Sequence, residues 1–333
     1  MQHLALGVQS SYRTTYGPPE VLSVREVPLP EPGPGETLVR VHAATVSRTD
    51  CGVLEGRPFV LRLMVGWPRP RIAATGTDFA GEVVAVGPGA PRFAVGERVM
   101  GFDDLGVGSH AEYLLLRAKQ AAVQVPVDVS YEDAAASMEG AHYARNFINK
   151  VPLKRGDKVL VYGASGAIGS AAVALLRDAG AVVTAVCPGR HHGAVAGLGP
   201  DHLLDSDDPQ WLGGLQDRSF DYFFDAVGKL TFAAVRRLLP ADGVYASSEL
   251  GPWSQNLLFA AAAPFMRGPK VRFPVPTGLS KSLELVSRLL ADGAYSPLID
   301  RHYVLADLRE AFEYVASGRK VGNVILRPGA DQT

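Results

Sequence analysis

The pattern of hydrophobic and polar positions changes once along the chain, near residue 126. Before that point, from about residue 21 to residue 125, short stretches of alternating apolar and polar residues, such as 38–44 and 81–87, are separated by glycine and proline. Alternation with a period of two between turn residues predicts β-strands. We therefore predict an all-β region over residues 21–125.

After residue 126 the pattern predicts helices and strands in alternation. Apolar residues have helical spacing over 129–138 and 167–180, and they form continuous runs over 158–164 and 181–187. Further strands are predicted over 220–228, 243–248 and 323–328, and further helices over 280–293 and 305–318. Strands that are apolar on both faces and alternate with helices are typical of a parallel, doubly wound sheet. The predicted fold class is therefore α/β.

Length and charge limit the classes of function. The 333 residues correspond to about two domains. The 33 Lys and Arg residues are balanced by 34 Asp and Glu residues, which gives a formal net charge of −1. A protein that binds nucleic acid in general usually has a basic excess, so the balance argues against a nucleic-acid partner.

Cysteine usage and the lack of a targeting pattern predict a cytoplasmic protein. Cys51 and Cys187 are the two cysteines, and they form no CxxC pair. This excludes a disulfide framework and a four-cysteine zinc site, and it is typical of the reducing cytosol. The first residues lack the pattern of a signal peptide, and no apolar run reaches the ~18 residues that span a bilayer. We expect no membrane partner.

A glycine-rich turn is the strongest chemical signal. Gly163, Gly166 and Gly169 lie between the predicted strand 158–164 and the predicted helix 167–180. In this context glycines allow a tight turn, close approach of the backbone to a pyrophosphate, and packing of helix on strand. Free N–H groups and the helix dipole then favour a phosphate at the helix N-terminus. Because the spacing is GxxGxxG rather than GxGxxG, a purely structural turn is the alternative.

The end of the next predicted strand indicates which dinucleotide binds. NAD-binding folds usually carry Asp or Glu there, which binds the ribose hydroxyls. No carboxylate occurs from Ala181 to His192, whereas Arg190 does. A guanidinium binds a 2′-phosphate that a carboxylate would repel. We therefore predict NADPH as the cofactor, with Arg190 at its 2′-phosphate; the alternative is that Arg190 is a solvated loop residue.

Several segments, in the same order, resemble one known superfamily along nearly the whole chain. They are VHAATVSRTDCG (41–52), GTDFAGEVVAVG (76–87), FAVGERVMGF (93–102), AEYLLL (111–116), VYGASGAIGSAAV (161–173), FDAVGK (224–229) and GRKVGNVIL (318–326). These segments resemble the medium-chain dehydrogenase/reductase superfamily, in its zinc-free quinone oxidoreductase-like branch. The resemblance implies a GroES-like, β-rich catalytic domain at 1–126, a Rossmann domain with a doubly wound parallel sheet at 127–272, and a C-terminal return to the catalytic domain at 273–333.

The resemblance also predicts a site without a metal. Ser47 stands where the zinc-using alcohol dehydrogenases of the superfamily have a cysteine ligand, and Thr77 and Asp78 stand where they have a His-Glu pair. Hydroxyls are poor zinc ligands beside thiolate and imidazole. Cys51 lies near this motif, but not at the ligand position. We expect no metal.

Without zinc, the resemblance implies reduction of an acceptor that is already activated. We expect hydride transfer from NADPH to a quinone or an α,β-unsaturated carbonyl, whose own carbonyl stabilises the developing charge. Tyr143 and Ser47 are the expected catalytic residues, because the resemblance places them near the nicotinamide and each hydroxyl can donate to the substrate oxygen. Tyr143 alternatively only fills space beside the cofactor. Arg48 and Asp50 are expected to form a structural ion pair.

Further contacts are carried over from matching positions of the superfamily. The cofactor contacts are Ser165, Ala167 and Ile168 in the turn, Asp225, Ala226 and Val227 after a strand, Ser247 and Ser248 after the next strand, and Asn323. Each is alternatively a plain turn or cap residue. An apolar substrate pocket is expected from Leu54, Phe59, Leu61, Met64, Trp67, Trp253 and Phe259, with core or dimer packing as the alternative.

The oligomeric state and two competing functions complete these predictions. Residues 270–276 resemble the edge strand by which relatives pair two Rossmann sheets, so a homodimer is expected. One alternative function is a non-catalytic NADPH-binding scaffold or sensor. The other is a standalone enoyl-thioester reductase.

Overall fold

The structure, a computed structural model, describes residues 7–90, 92–249, 251, 255–263 and 267–329. The chain divides into two units. The first unit comprises residues 1–138, 283–291 and 299–333, and the second unit comprises residues 139–282 and 292–298.

Strands and helices are numbered here in chain order. The strands are β1 (Gly7–Tyr12), β2 (Ser23–Pro28), β3 (Thr37–Val46), β4 (Asp78–Val86), β5 (Arg98–Phe102), β6 (Tyr113–Leu116), β7 (Ala122–Gln124), β8 (Lys158–Tyr162), β9 (Val182–Cys187), β10 (His202–Asp205), β11 (Tyr222–Asp225), β12 (Val244–Ser247), β13 (Lys270–Arg272), β14 (Ile299–Val304) and β15 (Asn323–Arg327). The α-helices are α1 (Arg48–Glu55), α2 (Val60–Val65), α3 (Tyr131–Ile148), α4 (Ala167–Asp178), α5 (His192–Ala196), α6 (Phe232–Val235), α7 (Gln255–Ala262), α8 (Leu279–Ala291) and α9 (Leu308–Ala316).

The first unit is built on a seven-stranded sheet. Its strand order is β14-β15-β3-β4-β5-β7, with β6 also paired to β3, and β1 and β2 form a separate two-stranded sheet. β15 pairs antiparallel with β3, with Val324 opposite Val46, so the end of the chain completes this sheet. One apolar core cluster includes Val39, Phe79, Val83, Val99 and Leu114, and a second includes Val46, Leu54, Leu308, Phe312 and Leu326.

Two helices interrupt the region predicted as all-β, so that prediction is wrong for α1 and α2. The Ser47 hydroxyl accepts from Asp50 N at 3.1 Å, while the Asp50 carboxylate accepts from Ser47 N at 2.8 Å. This reciprocal pair is a capping box, which satisfies two N–H groups where α1 begins. The helix ends at Gly56, whose φ of 62° lies in the left-handed region. Local side-chain capping therefore overrides the strand pattern here.

The second unit contains a six-stranded sheet in the order β10-β9-β8-β11-β12-β13. Every neighbouring pair is parallel, and β11 is buried along its whole length. This is the strand order of the Rossmann fold, so the predicted α/β class with a parallel, doubly wound sheet is confirmed. The order reverses between β8 and β11, and ligands of such sheets bind at the carboxyl ends of the strands beside that point.

Candidate functional site

The turn from β8 to α4 lies at the carboxyl end of a central strand of the second unit. Gly163 has a φ of +86°, and a Cβ there would lie 2.2 Å from Val227 Cγ2. A Cβ on Gly169 would lie 2.1 Å from Gly163 O, so α4 packs directly on the turn. A Cβ on Gly166 would come no closer than 3.4 Å to the same oxygen. The fold thus requires two of the glycines, whereas Gly166 leaves room for a ligand.

The N-terminus of α4 fits an anion. Gly166 precedes the helix and supplies no side-chain cap. The first helical hydrogen bond runs from Ser170 N to Gly166 O at 2.9 Å, which leaves the N–H groups of Ala167, Ile168 and Gly169 without a helical acceptor. Together with the helix dipole, these groups favour a phosphate. The turn therefore fits the pyrophosphate of a dinucleotide.

Arg190 follows β9 as predicted, but carboxylates of β10 lie beside it. Because β10 is the parallel neighbour of β9, its end brings Asp205 and Asp207 to the same edge of the sheet. Asp205 accepts from Gly189 N at 2.7 Å, and Arg190 donates to Asp207 at 2.9 Å. The side chains of Arg190 and Asp207 are 64% and 55% exposed, so their ion pair is worth only ~0–1 kcal/mol. Sequence inspection of the β9 end missed both carboxylates, since they arrive from the adjacent strand.

A buried carboxylate shapes the strand end after β11. Asp225 accepts from two backbone N–H groups of its own turn, at 2.9 and 2.7 Å, and from the Tyr245 hydroxyl at 2.8 Å. Burial raises the pKa of Asp225, and these hydrogen bonds act in the opposite direction. Ala226 and Val227 form the turn that the carboxylate holds, and the buried Ser247 lies opposite Asp225 on the parallel strand β12. The structure thus brings these predicted contacts to the same sheet edge as the glycine turn.

The remaining predicted site residues belong to both units. Ser165 lies in the glycine turn, with its Oγ 3.3 Å from His191 Nδ1. Tyr143 lies on the part of α3 in the second unit, half-buried, with its ring edge-on to His142 at 5.7 Å. Asn323 begins β15 in the first unit and is buried. Their contacts with a cofactor stay predictions.

The residues predicted for the apolar pocket have different surroundings. Leu54 is buried in the core of the first unit, so it lines no surface. Phe259 packs against the core of the second unit, and Trp253 lies outside the described residues. In the first unit, Leu61 is half-buried, and the exposed fractions are 57% for Phe59, 50% for Met64 and 59% for Trp67.

A buried polar network joins β3 and β4 next to Ser47. The carboxylate of the fully buried Asp78 accepts from Thr45 N at 2.6 Å and from the Thr45 hydroxyl at 2.5 Å. His110 donates through Nε2 to Thr45 O at 2.8 Å, which leaves Nδ1 to accept from the Thr75 hydroxyl at 2.8 Å. Burial lowers the pKa of His110 to about 4, so the ring is neutral at pH 7. These side chains already have partners within the fold.

The sequence resemblance places Ser47, Thr77 and Asp78 at the zinc-ligand positions of related enzymes, and the chemistry of these side chains does not fit a catalytic zinc. Ser47 caps α1, Thr77 offers only a hydroxyl, and the Asp78 carboxylate is bound by Thr45. Burial raises the pKa of Cys51 to about 12, so this thiol is protonated. Within the described ranges, no group of three or more His, Cys, Asp and Glu side chains is placed to hold a metal ion.

Asp50 keeps one polar atom unsatisfied beside Thr77. Asp50 Oδ2 accepts from Ser47 N, but Asp50 Oδ1 and Thr77 Oγ1 are buried without a hydrogen-bond partner. Burial raises the pKa of Asp50 to about 6, although Ser47 and the nearby Thr77 hydroxyl lower it. Arg48 is exposed, so the expected Arg48–Asp50 ion pair is replaced by the capping box.

We expect His110 and Asp50 to give the first unit two opposed pH dependences. The pKa of His110 is lowered from 6.5 to about 4, so its contribution to stability is present above pH 6.5 and is lost as the pH falls towards 4. The pKa of Asp50 is raised from 3.8 to about 6, so its contribution is present below pH 3.8 and is lost as the pH rises towards 6. Each amounts to about 3 kcal/mol.

Urea unfolding followed between pH 4 and pH 7 separates the two contributions. In His110→Asn, the unfolding free energy is expected to fall less than in the wild type as the pH is lowered from 7 to 4. Asp50→Asn keeps an oxygen for the capping box. Its unfolding free energy is expected to fall more than that of the wild type over the same pH range. Identical pH profiles for the wild type and both variants would contradict this assignment.

Comparison with known proteins identifies the superfamily. The alcohol dehydrogenase GroES-like domain family matches residues 33–127, and the zinc-binding dehydrogenase family matches residues 198–326. A chloroplast envelope quinone oxidoreductase homolog of Arabidopsis thaliana is 29% identical over 317 residues, which are 91% of this chain and 93% of that protein. The chain belongs to the medium-chain dehydrogenase/reductase superfamily, in its quinone oxidoreductase-like branch.

Solved structures share the medium-chain dehydrogenase/reductase fold over nearly the whole chain. The quinone oxidoreductase from Coxiella burnetii has a TM-score of 0.82 at 22% identity and covers 97% of this chain and 100% of its own. A mycobacterial protein complexed with NADPH has a TM-score of 0.78 at 26% identity, with 96% and 100% covered. The chain is therefore an oxidoreductase with a Rossmann unit for a nicotinamide cofactor.

One part of a longer relative is similar to this chain. The mycocerosic acid synthase-like polyketide synthase of Mycobacterium tuberculosis is 28% identical over 343 residues, which are 98% of this chain and 16% of that protein.

Among the described residues, no helix is long and apolar enough to cross a membrane.

Proposed function

We propose that this oxidoreductase uses NADPH to reduce a quinone or an α,β-unsaturated carbonyl, without a metal ion. The observation that carries the proposal is the chemistry of Ser47, Thr77 and Asp78, which are a helix cap, a hydroxyl and a carboxylate already bound by Thr45. Catalytic zinc sites use thiolate, imidazole and available carboxylate ligands. Without a Lewis acid, acceptors whose own carbonyl takes up the developing charge are the suitable class. The similarity to quinone oxidoreductases supports this class.

The preference for NADPH rests on Arg190. Its ion pair with Asp207 is exposed and weak, whereas a 2′-phosphate offers several charged oxygens to the guanidinium. A bound 2′-phosphate would therefore replace Asp207 as the partner of Arg190. The similarity to a mycobacterial protein complexed with NADPH supports the same cofactor.

In this mechanism the chain orients the cofactor and the substrate and supplies the proton, while NADPH, when bound, would supply the hydride. The N–H groups at the start of α4, which have no helical acceptor, would hold the pyrophosphate of the cofactor. The Ser47 hydroxyl oxygen accepts from Asp50 N, which leaves its hydrogen for the substrate oxygen. The Tyr143 hydroxyl delivers the proton to the reduced substrate, since a positioned acid contributes ~10²–10⁴-fold to such a step.

We expect Tyr143→Phe to lower kcat with an enone by roughly 10²-fold, because the variant removes only the hydroxyl. The Kd for NADPH, measured by fluorescence titration, is expected to stay unchanged. Tyr113→Phe, on β6 of the first unit, is the matched control and is expected to keep full turnover. Full turnover by Tyr143→Phe would remove the proton-donor role.

The function is tested by following NADPH consumption with a naphthoquinone, an ortho-quinone, a linear enone and a 2-alkenal. Turnover that survives a metal chelator is expected. Zinc-dependent oxidation of an alcohol would overturn the proposal. NADPH binding without turnover of any acceptor would favour the scaffold alternative.

A second candidate is a standalone enoyl-thioester reductase. It is favoured by the similarity to a mycobacterial polyketide synthase along 98% of this chain. The same assay extended to a 2-enoyl thioester decides between the two, because activity confined to the thioester would select the second candidate.

We also propose a homodimer in the cytoplasm. β13 is an edge strand of the six-stranded sheet, and an edge strand presents backbone groups that can pair with a second chain. Cys51 and Cys187 are free thiols, which suits a reducing compartment. Light scattering at micromolar concentration is expected to give twice the chain mass of 35.4 kDa, and a single-chain mass would contradict the dimer.

A further inference from the structure

Residues 56–72 of the first unit, here called the exposed segment, present large apolar side chains to solvent. The exposed fractions are 57% for Phe59, 54% for Val60, 58% for Leu63, 50% for Met64 and 59% for Trp67. Clustered apolar surface of this kind marks an interaction site. Phe59 and Trp67 contact each other, with ring centroids 5.2 Å apart, so the two ends of this row belong to one apolar patch.

The exposed segment is held in place by the rest of its unit. The Tyr16 hydroxyl donates to Gly66 O at 2.6 Å, and the Arg62 guanidinium donates to Gly56 O at 3.2 Å. Val65, at the end of α2, is buried and anchors the helix. These hydrogen bonds and the buried Val65 fix the backbone that carries the exposed apolar side chains. A fixed backbone lowers the entropic cost of binding.

All charges of the exposed segment are positive. It contains Arg57, Arg62, Arg69 and Arg71, and it contains no Asp or Glu. Arg69 and Arg71 are exposed, and the Arg57 side chain is 79% exposed. Glu55, just before the segment, pairs with Arg57 at 3.6 Å, but such an exposed pair is weak and easily replaced.

We propose that the exposed segment docks on an anionic lipid bilayer surface. Its apolar side chains enter the boundary between headgroups and acyl chains, while the exposed Arg57, Arg69 and Arg71 bind lipid phosphates. A second copy docked face to face would set arginines against arginines, because such an interface uses the same patch twice. A protein partner would need an apolar surface that matches these side chains, whereas a fluid bilayer adapts to them. This surface contact departs from the expectation of no membrane partner, which rested on the lack of a signal peptide and of a spanning segment.

Vesicle co-sedimentation of the full chain tests the proposal. We expect binding to phosphatidylcholine vesicles that contain about 30% phosphatidylserine to be roughly tenfold tighter than to phosphatidylcholine alone, and to weaken with added salt. Equal binding to both vesicles, or no binding to the anionic ones, would overturn the proposal.

Two double variants separate charge from apolar contact. Arg69→Ser with Arg71→Ser, and Val60→Ser with Leu63→Ser, are each expected to weaken binding roughly tenfold or more. The matched controls are Lys119→Ser with Arg288→Ser, which removes two exposed cations outside the segment, and Val127→Ser, which removes an apolar side chain that is 87% exposed.

Thermal unfolding of each variant shows whether it still folds. Arginine variants that fold and bind anionic vesicles like the wild type would contradict the role of charge. A concentration-dependent dimer that Val60→Ser with Leu63→Ser abolishes, in a chain that ignores vesicles, would assign the surface to a second copy instead.

Discussion

Replacing Gly169 with alanine is expected to destabilise the second unit by about 3 kcal/mol. The new Cβ would lie 2.1 Å from Gly163 O, and this oxygen belongs to the backbone of the turn, so it cannot move aside like a flexible side chain. The measurement is urea unfolding of the wild type and the variant. Unchanged stability in Gly169→Ala would show that α4 can shift on the turn.

Gly166→Ala separates binding from folding in the same turn. Its Cβ would lie 3.4 Å from the nearest atom, Gly163 O, so the variant is expected to lose less than about 1 kcal/mol. The methyl group stands where the backbone approaches the pyrophosphate, so NADPH affinity is expected to fall at least roughly tenfold. Wild-type affinity in this folded variant would remove the turn from the cofactor site.

Arg190→Ala is expected to weaken NADPH binding by roughly 10- to 100-fold and to leave NADH binding nearly unchanged. The size of this loss in affinity follows from the charge-assisted hydrogen bonds that the variant removes, which contribute ~1.5–3 kcal/mol. Parallel Kd measurements with both cofactors check it. An equal loss of affinity for NADH and NADPH would mean that Arg190 does not bind the 2′-phosphate.

Asp207→Asn is expected to strengthen NADPH binding, whereas Arg190→Ala weakens it. It removes the carboxylate that holds Arg190 at 2.9 Å, so NADPH no longer displaces an ion pair. Because an exposed pair is worth at most ~1 kcal/mol, the gain in NADPH affinity is limited to about fivefold. Asp208→Asn, one residue further along, is the charge-matched control. Weaker NADPH binding in Asp207→Asn alone would mean that the carboxylate supports the site.

Local patterns in the sequence predicted those parts of the fold whose signals lie within one element. The apolar run at 158–164 is β8 at Lys158–Tyr162, and the helical spacing at 167–180 is α4 at Ala167–Asp178. α4 has 12 residues with one apolar face, and β8 is a continuous buried apolar run, so the local pattern is sufficient. α1 is only eight residues long and was missed, although the Ser47–Asp50 spacing of a capping box was present in the sequence.

Features of the site that depend on neighbouring strands could not be predicted from one strand at a time. Asp205 binds Gly189 N, and Asp207 binds Arg190, because β10 pairs with β9. Asp78 binds Thr45 because β4 pairs with β3. The register of a sheet decides both contacts, and it is fixed by the tertiary structure rather than by local spacing. The exposure of Phe59 and Trp67 is likewise a tertiary property.

The pairing of the last strand with β3 has a consequence for biosynthesis. Val46 pairs with Val324, which lies about 280 residues later in the chain. This stretch of β3 therefore stays unpaired until β15 has been synthesised. All six strands of the second-unit sheet lie between residues 158 and 272, so this sheet is complete while β15 is still unmade. Since domains fold as units during synthesis, the second unit is expected to fold first on the ribosome. A chain stalled before residue 323 would then carry an open, apolar β3 edge, which is a target for chaperones and a site for aggregation.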